Sequence, residues 1–270
     1  MILSTLLPLT LGHKWQYDIN MPVLYGGDVN TVDLRCDSGS VDHNKIVVAA
    51  VGDSITVGAT CSDPGGFVRV LQAALEADPN TANMFDVRDC GQCGHDCVRK
   101  NHGNVKHATY WYTGAMNESL AMKPDMVIFM LGTNDADEWY NTSKYYQQDF
   151  LDLVDEYVML PSKPKIYTMI PPPYGNTTCI GNPNPTCLKP FDKECTINCV
   201  LPKLVPLLTA QINAKKPQLD PPIPELEVID LLTFLGGPDH TNKSAQPGLH
   251  PNCDGYELIG NYLKHRIPFV

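Results

Sequence analysis

Residues 45–58 read KIVVAAVGDSITVG, and this stretch decides the fold class. Ile46–Val51 is an uninterrupted apolar run, rich in β-branched residues, that ends at Gly52. A strand with one face in water alternates apolar and polar residues, whereas a strand buried on both faces is apolar throughout. The stretch therefore predicts an inner strand of a parallel sheet, followed by a turn that carries Asp53 and Ser54.

The rest of the chain alternates between strand-like and helix-like segments. Further strands are predicted at Met84–Arg88, Met126–Leu131, Lys165–Ile170 and Leu226–Asp230, and helices at Phe67–Ala77, Tyr145–Tyr157, Leu201–Ala214 and Gly255–His265. Strands that alternate with helices pair in parallel, with the helices on both faces of the sheet. The predicted fold is a three-layer α/β/α sandwich with a central parallel five-stranded sheet.

The length of 270 residues fits one large domain, or at most two small ones. Residues 1–44 are polar and turn-rich after the first dozen, and we expect them to form an extension that wraps a core domain of residues 45–270. Residues 171–199 are rich in Pro, Asn, Thr and Cys. This composition predicts a disulfide-pinned loop or small cap inserted into the core domain.

The charge balance excludes two classes of partner. Twenty basic and thirty acidic residues give a net charge of -10 and a pI near 5.1. Proteins that bind nucleic acid or anionic membranes concentrate Lys and Arg, so neither partner is expected.

No apolar run approaches the ~20 residues of a membrane span. Residues 1–12 are apolar with no basic residue ahead of them, which leaves open both part of a signal peptide and an ordinary mature start.

Ten cysteines and several N-glycosylation sequons both indicate the secretory pathway, either outside the cell or in a lumen. The sequons make candidate N-glycan sites of Asn117, Asn141, Asn176 and Asn242.

Zinc binding is the rival explanation of the cysteines. Cys90-Gly-Gln-Cys93 with Cys97 is compatible with a metal site, but structural zinc sites usually contain two close cysteine pairs. The second cluster of cysteines contains no such pair, which favours disulfides; its members are Cys179, Cys187, Cys195 and Cys199.

Polar, glycine-containing segments follow three of the predicted strands. They are Gly52–Thr56, Cys90–Gly94 and Gly132–Asp135, and a further segment around His250 precedes the last predicted helix. In a doubly wound sheet, ligands bind beyond the carboxyl ends of the strands. Each segment alone is a weak signal, but together, in this order, they predict one functional site.

The order and the amino-acid sequences of these segments resemble the conserved motifs of the SGNH hydrolases, also called the GDSL esterase/lipase family. The matching stretches are VGDSITVG (51–58), PDMVIFMLGTNDAD (124–137) and LHPNCDGYELIG (249–260), within a resemblance that covers about residues 45–263. The resemblance implies a three-layer α/β/α fold and the hydrolysis of esters through an acyl-serine intermediate. It implies neither a metal nor a cofactor.

The resemblance also implies roles for individual residues. Ser54 would be the nucleophile and His250 the base, while Gly94 and Asn134 would donate hydrogen bonds to the oxyanion. Gly91 is the alternative to Gly94, because the cysteine-rich sequence of this segment departs from the usual motif of the family.

These roles are chemically consistent with the residue types. A serine hydroxyl becomes nucleophilic when a base removes its proton, and histidine suits this task because its ordinary pKa is about 6.5. The tetrahedral oxyanion needs preorganised donors, which the backbone N–H groups of Ser54 and Gly94 and the side-chain amide of Asn134 can supply. Asp53 is expected to tie the turn together rather than to act as the acid of a triad.

One position departs from the family. The usual final block has an aspartate three residues before the histidine, and position 247 is Pro in this chain. Three alternatives follow. A backbone carbonyl, such as that of Pro247, orients His250; Asp239 folds back into the role; or the enzyme is weak or inactive.

We expect the substrate to be an O-acyl group, particularly acetyl, on a carbohydrate, because the resembled family includes many such enzymes. The alternatives are a lipase or lysophospholipase, and a non-catalytic glycan-binding protein on a hydrolase scaffold. The aromatic run Tyr110–Tyr112 offers a surface for sugar stacking, although packing is the more common role of such a run.

The cysteines also cluster around the proposed catalytic segments. Cys61 follows the nucleophile and Cys253 follows the histidine, while Cys90, Cys93 and Cys97 flank Gly94 in sequence. Disulfides at these positions are expected to hold the loops of the site rigid, as the preorganisation of an oxyanion site requires.

Overall fold

The computed structural model describes residues 36, 39–63, 65–102, 106–175, 193–215, 222–237 and 248–267. The contacts divide the chain into Met1–Val32, which lies outside the described residues, and Asp33–Val270, which carries the sheet and its helices. Most of the predicted extension of residues 1–44 therefore lies outside the described residues, and its boundary stays a prediction.

Five strands form the central sheet. They are β1 (Ile46–Gly52), β2 (Phe85–Gly91), β5 (Met126–Met130), β6 (Lys165–Ile170) and β7 (Glu227–Asp230). All neighbouring strands are parallel, in the order β2-β1-β5-β6-β7. A separate pair consists of β3 (His95–Asp96) and β4 (Ala108–Thr109). The predicted parallel five-stranded sheet is confirmed, with β2 extending three residues beyond its predicted end.

Strand β1 explains why its sequence contains no polar residue. Val47, Ala49 and Val51 belong to one apolar cluster, whereas Val48 and Ala50 belong to another. Successive side chains of a strand point to opposite faces of the sheet. A strand with an apolar cluster against each face therefore has no position for a polar side chain.

Helices cover both faces of the sheet. They are α1 (Ser54–Val57), α2 (Phe67–Glu76), α3 (Gly114–Ala121), α4 (Trp139–Val158), α5 (Lys193–Cys195), α6 (Leu201–Lys215), α7 (Leu231–Phe234) and α8 (Cys253–Arg266). The cluster on one face contains residues of α3, α4 and α6, and the cluster on the other contains residues of α1, α2, α7 and α8. The predicted three-layer α/β/α architecture is confirmed.

Helices α2 and α8 approach each other closely at Gly260. A Cβ atom at this position would lie 2.5 Å from the Cβ of Val70 and 2.9 Å from the carbonyl oxygen of Phe67. Such distances are shorter than van der Waals contact, so the approach of the two helices requires glycine. The contact matters for the site because α8 directly follows the segment that carries His250.

The helix predicted at Leu201–Ala214 begins earlier in the structure. Helix α5, a π-helical segment at Thr196–Val200 and α6 follow one another without interruption. The last residues of the predicted insertion at 171–199 are therefore helical, because Ile197 is buried in the core cluster together with α6. Burial of an apolar side chain outweighs the weak helix propensity of the neighbouring Thr, Asn and Cys. Residues 176–192 of the insertion lie outside the described residues.

One helix in the described part of the chain, Lys193–Lys215, is long and apolar enough to cross a membrane. Its most apolar window has a mean hydropathy of 1.3, but 56 % of that window is buried inside the protein. Leu204, Val205 and Leu208 pack in the same cluster as α4. The apolar character of this helix is therefore accounted for by its place in the core.

Disulfides connect distant parts of the chain. Cys36 is bonded to Cys90 near the end of β2, and the backbone N–H of Cys36 donates to the carboxylate of Glu118 in α3. Cys195 and Cys199 are also disulfide-bonded. Cys179 and Cys187 lie outside the described residues.

Candidate active site

The three segments that follow β1, β2 and β5 emerge side by side at one edge of the sheet. In the strand pairing, Gly52 at the end of β1 is the partner of Gly91 in β2 and of Met130 in β5. This edge is the carboxyl edge, and the chain order of the strands changes direction at β1. Such a switch point is where doubly wound sheets bind their ligands.

Ser54 and His250 are in direct contact at this edge. Ser54 Oγ lies 2.7 Å from His250 Nε2, although the two residues are separated by 196 positions in the sequence. Ser54 is the first residue of α1 and is 5 % exposed. The two residues that the sequence predicts as nucleophile and base are thus brought together.

Asp53 shapes the turn that presents Ser54. Its carboxylate accepts a hydrogen bond of 2.9 Å from the backbone N–H of Ile55, which caps the N-terminus of α1. The prediction that Asp53 ties the turn together is confirmed. Because Ser54 is the first residue of α1, its N–H is one of the donors that have no partner within the helix.

His250 precedes α8 and is half-buried. Asn252 caps that helix through a hydrogen bond of 2.8 Å from the N–H of Gly255. Burial, and secondarily the positive charge of Lys193, lower the pKa of His250 below its ordinary value of 6.5. His250 is therefore neutral near pH 7, which is the state that a general base requires.

Two glycines compete for the second oxyanion donor, and their surroundings differ. The N–H of Gly91 donates to Asp89 Oδ1 at 2.9 Å, and a Cβ atom there would lie 2.8 Å from the carbonyl oxygen of Asp53. Gly94 has a φ of +70°, and no described atom lies within 4 Å of a Cβ built on it. Gly91 serves packing, whereas Gly94 faces open space, which favours Gly94 as the donor.

Asn134 approaches the loop that carries Gly94. Its side-chain Nδ2 donates a hydrogen bond of 3.0 Å to the backbone carbonyl of His95, and the residue is 5 % exposed. A side-chain amide nitrogen has two N–H groups. One of them orients the amide against the loop, which leaves the second N–H of the same nitrogen for a further contact.

Asp135 is a residue that the sequence analysis missed. Its buried carboxylate accepts hydrogen bonds from the backbone N–H groups of Cys97 and Val98, at 2.9 and 3.0 Å. Together with the contact between Asn134 and His95, these bonds attach the loop after β2 to the loop after β5. The sequence signal was available, since Asp135 directly follows Asn134, but an aspartate in a loop is usually solvated.

The cysteines near the site are only partly paired as expected. Cys61 and Cys253 form a disulfide, so the bond joins the segment after Ser54 to the segment after His250. Cys93 and Cys97, in contrast, are free thiols. The expectation that disulfides hold the loop around Gly94 is therefore wrong for these two residues; backbone hydrogen bonds to Asp135 fix this loop instead.

Other predicted features fall away from the site or outside the described part. Tyr110 and Trp111 are 0 % and 3 % exposed, and only Tyr112, at 70 %, is open to solvent, so packing accounts for most of this aromatic run. Asp239 and Pro247 lie outside the described residues. The three alternatives for the orientation of His250 therefore stay predictions.

A family comparison matches the central part of the chain. The model of the GDSL-like lipase/acylhydrolase family matches residues 50–196, which is more than half of the sequence and includes Ser54, Gly94 and Asn134. The chain belongs to this family. Membership makes it an ester hydrolase by class.

Solved structures with the same fold include a lipase and an esterase from bacteria. A lipase/acylhydrolase from Enterococcus faecalis is 22 % identical, with a TM-score of 0.52; the match covers 82 % of this chain and 94 % of that one. A carbohydrate acetylesterase from Sinorhizobium meliloti is 16 % identical, with a TM-score of 0.53, and 83 % and 98 % of the two chains are covered. No curated protein sequence matches this GDSL-like hydrolase.

Three buried carboxyl groups lie beneath the site of this GDSL-like hydrolase. Burial raises the pKa of Asp53 to about 6, of Asp135 to about 7 and of Asp96 to about 9. Both carboxyl oxygens of Asp96 are buried without a hydrogen-bond partner in the described part of the chain. The negative charge of Asp135 also contributes to the raised pKa of Asp96.

Asp96→Asn tests the effect of these buried acids on stability. Between about pH 4, the ordinary pKa of Asp, and the raised pKa, folded Asp96 holds a proton that the unfolded chain releases. The free energy of unfolding therefore falls as the pH rises through this window. We expect Asp96→Asn to raise the thermal midpoint at pH 8 relative to the wild type, and to raise it less at pH 5.

Asp78→Asn is the control with the opposite sign. The N–H of Asn80, followed by Lys264, lowers the pKa of Asp78, so this carboxylate stabilises the fold at neutral pH and stops doing so as the pH falls through its lowered pKa. Thermal midpoints measured from pH 4 to 9 separate the two variants. Parallel curves for the wild type and Asp96→Asn would contradict the assignment.

Proposed function

We propose that the chain is a serine esterase that works through an acyl-Ser54 intermediate. His250 Nε2 takes the proton of Ser54 Oγ while the oxygen attacks the ester carbonyl. The alkoxide of the tetrahedral intermediate is stabilised by the N–H groups of Ser54 and Gly94 and by the amide of Asn134. The intermediate collapses as His250 returns its proton to the leaving alcohol, and water then hydrolyses the acyl-enzyme by the same steps in reverse.

The observation that carries this proposal is the 2.7 Å distance between Ser54 Oγ and His250 Nε2. A buried serine at the start of a helix has no structural need for a histidine partner from a segment 196 residues away. The same edge of the sheet holds the three candidate oxyanion donors. Nucleophile, base and donors are thus the complete set that acyl transfer requires.

We propose short acyl groups on carbohydrate as the substrate class. Few large apolar side chains of the described residues are exposed, and none lies in the described segments that carry the candidate site residues. The exposed ones are Met84, Tyr112, Tyr140, Met159 and Leu207. A long acyl chain needs an extended apolar groove. The carbohydrate acetylesterase from Sinorhizobium meliloti shares the fold, which is consistent with this choice.

A series of p-nitrophenyl esters tests the activity and the acyl preference. We expect kcat/KM to be highest for the acetate or butyrate and to fall for the octanoate and palmitate. Ser54→Ala should lower kcat by about a thousandfold or more. Asn134→Ala should lower kcat by about a hundred- to a thousandfold, because it removes one oxyanion donor.

Ser62→Ala, at an exposed serine of the next loop, is the matched control and should retain wild-type kcat. Hydrolysis that persists in Ser54→Ala would contradict the acyl-Ser54 mechanism. A preference for the palmitate would favour the lipase alternative. A wild type without hydrolysis that nevertheless binds acetylated oligosaccharides would favour the glycan-binding alternative.

The lowered pKa of His250 predicts the pH profile. Because the base acts in its neutral form, the acidic limb of the kcat/KM profile should lie below pH 6.5. Lys193→Gln removes a positive charge that disfavours the imidazolium, so the limb should move to higher pH. Lys203→Gln, at an exposed lysine of α6, is the control and should leave the limb unchanged. A limb that does not move in Lys193→Gln would contradict the role of this charge.

We also propose that the protein passes through the secretory pathway. The disulfides Cys36–Cys90 and Cys61–Cys253 require an oxidising compartment. Asn117 is exposed on α3 and Asn141 is half-buried on α4, while Asn176 and Asn242 lie outside the described residues. Protein expressed in a eukaryotic secretory host should lose mass on treatment with an N-glycosidase, and Asn117→Gln should remove part of that loss. An unchanged mass would contradict glycosylation.

A further inference from the structure

We propose that Thr60 is a positioning residue that holds His250 against Ser54. The inference rests on the serine esterase function proposed for this site. Thr60 lies two residues after Gly58, the residue that ends α1. Its side-chain hydroxyl donates a hydrogen bond of 2.9 Å to the backbone carbonyl of Pro251, the residue that follows His250.

Two further contacts join the same two segments. The hydroxyl of Tyr256 donates to the carbonyl of Ala59 at 3.0 Å, and Cys61 is bonded to Cys253. Residues 59–61 are thus attached to residues 251–256 at three successive positions. We call this set of contacts the clamp.

The bond from Thr60 is the contact of the clamp that acts closest to His250. The disulfide is attached three residues beyond His250, and Tyr256 lies within α8. These two contacts fix α8, and Asn252 is held as the cap of that helix, but none of these contacts acts on the peptide group between Pro251 and Asn252. The carbonyl of Pro251 belongs to this peptide group, so its bond to Thr60 restricts the rotation that would move the imidazole.

The conformation of Thr60 supports a role for its side chain. The residue has a φ of +80°, in the left-handed region that a β-branched residue rarely adopts. Glycine or asparagine would occupy this conformation at a lower energetic cost. Thr60 is an exposed residue, so burial of its methyl group does not offset the strain. The hydroxyl and its bond to Pro251 are what the side chain adds at this position.

Proton transfer from Ser54 depends on the position of the imidazole of His250. Within the described residues, the imidazole has one hydrogen-bond partner, which is Ser54 Oγ. Transfer of a proton between these groups requires a separation near hydrogen-bond distance, and a displacement of about 1 Å can cost a hundredfold in rate. Restricting the backbone next to His250 keeps this separation in the absence of substrate.

A series of substitutions at Thr60 separates positioning from stability. Thr60→Val keeps the β-branch and removes the hydroxyl, and we expect kcat to fall by about tenfold with KM unchanged. Thr60→Ser keeps the hydroxyl and should restore wild-type kcat. Thr60→Gly removes both the hydroxyl and the strain, so kcat should fall while the thermal midpoint stays level or rises.

Thr81→Val is the matched control. Thr81 also donates from its hydroxyl to a backbone carbonyl, that of Leu75 at 2.7 Å, but it is buried away from the site. Removal of the Thr81 hydroxyl should lower the thermal midpoint without changing kcat. A loss of kcat in the Thr60 variants that merely follows their thermal midpoints would assign Thr60 a structural role and overturn the inference.

A spectroscopic measurement tests the inference independently of hydrolysis. The ring ¹⁵N shifts of His250 report its hydrogen bond to Ser54, and Ser54→Ala gives the shifts of the broken bond. Thr60→Val should move the His250 shifts toward those of Ser54→Ala, while Thr60→Ser should retain the wild-type shifts. Identical spectra for the wild type and Thr60→Val would overturn the positioning role. A wild type that shows the expected shifts but hydrolyses no ester would instead overturn the proposed function alone.

Discussion

The pairing of β1 with β2 on one side and β5 on the other is the constraint on which the site depends. The register of these strands places Gly52, Gly91 and Met130 side by side, so the segments that follow them leave the sheet at the same edge. A shift of one residue in β1 would turn every side chain to the opposite face and disrupt the packing of both apolar clusters. The burial of a strand with no polar residue therefore also determines where Ser54 stands. The free energy that fixes the position of Ser54 is that of burying the apolar core.

The sequence predicted those parts of the molecule that follow from local patterns. Continuous apolar runs identified β1 and β5, shorter strand-like segments identified the other three strands of the sheet, and their alternation with the helices identified the parallel sheet. Ser54 and Asn134 lie in segments that follow β1 and β5, at the edge where ligands bind, and the resemblance to the SGNH hydrolases implied their roles. His250 was assigned because the sequence of its segment resembles a motif of the family. Its contact with Ser54 depends on the packing of α8 on α2. For each of these assignments the relevant information lies within a few residues, whereas the contact between Ser54 and His250 joins positions 196 residues apart.

The remaining features depend on contacts between distant segments, which no local pattern records. The pairing of Cys36 with Cys90, and the free state of Cys93 and Cys97, depend on the path of the chain before β1. Asp135 is a buried acceptor because the backbone of Cys97 and Val98 passes over it. Thr60 has a positive φ that its residue type disfavours, so propensity alone points away from the observed conformation. Composition was also misleading for residues 193–199, where core packing makes a helix of a Cys-rich segment.

The disulfide between Cys61 and Cys253 has a consequence for the biosynthesis of the protein. Its two sulfurs are 192 residues apart, and the intervening chain contains every strand except β1. The bond cannot form natively until α8 has been synthesised and docked. During translation Ser54 is therefore synthesised long before His250 and before Cys253, which forms the disulfide with Cys61. A nascent or truncated chain carries Ser54 without His250, so the contact between these two residues is among the last that the growing polypeptide forms.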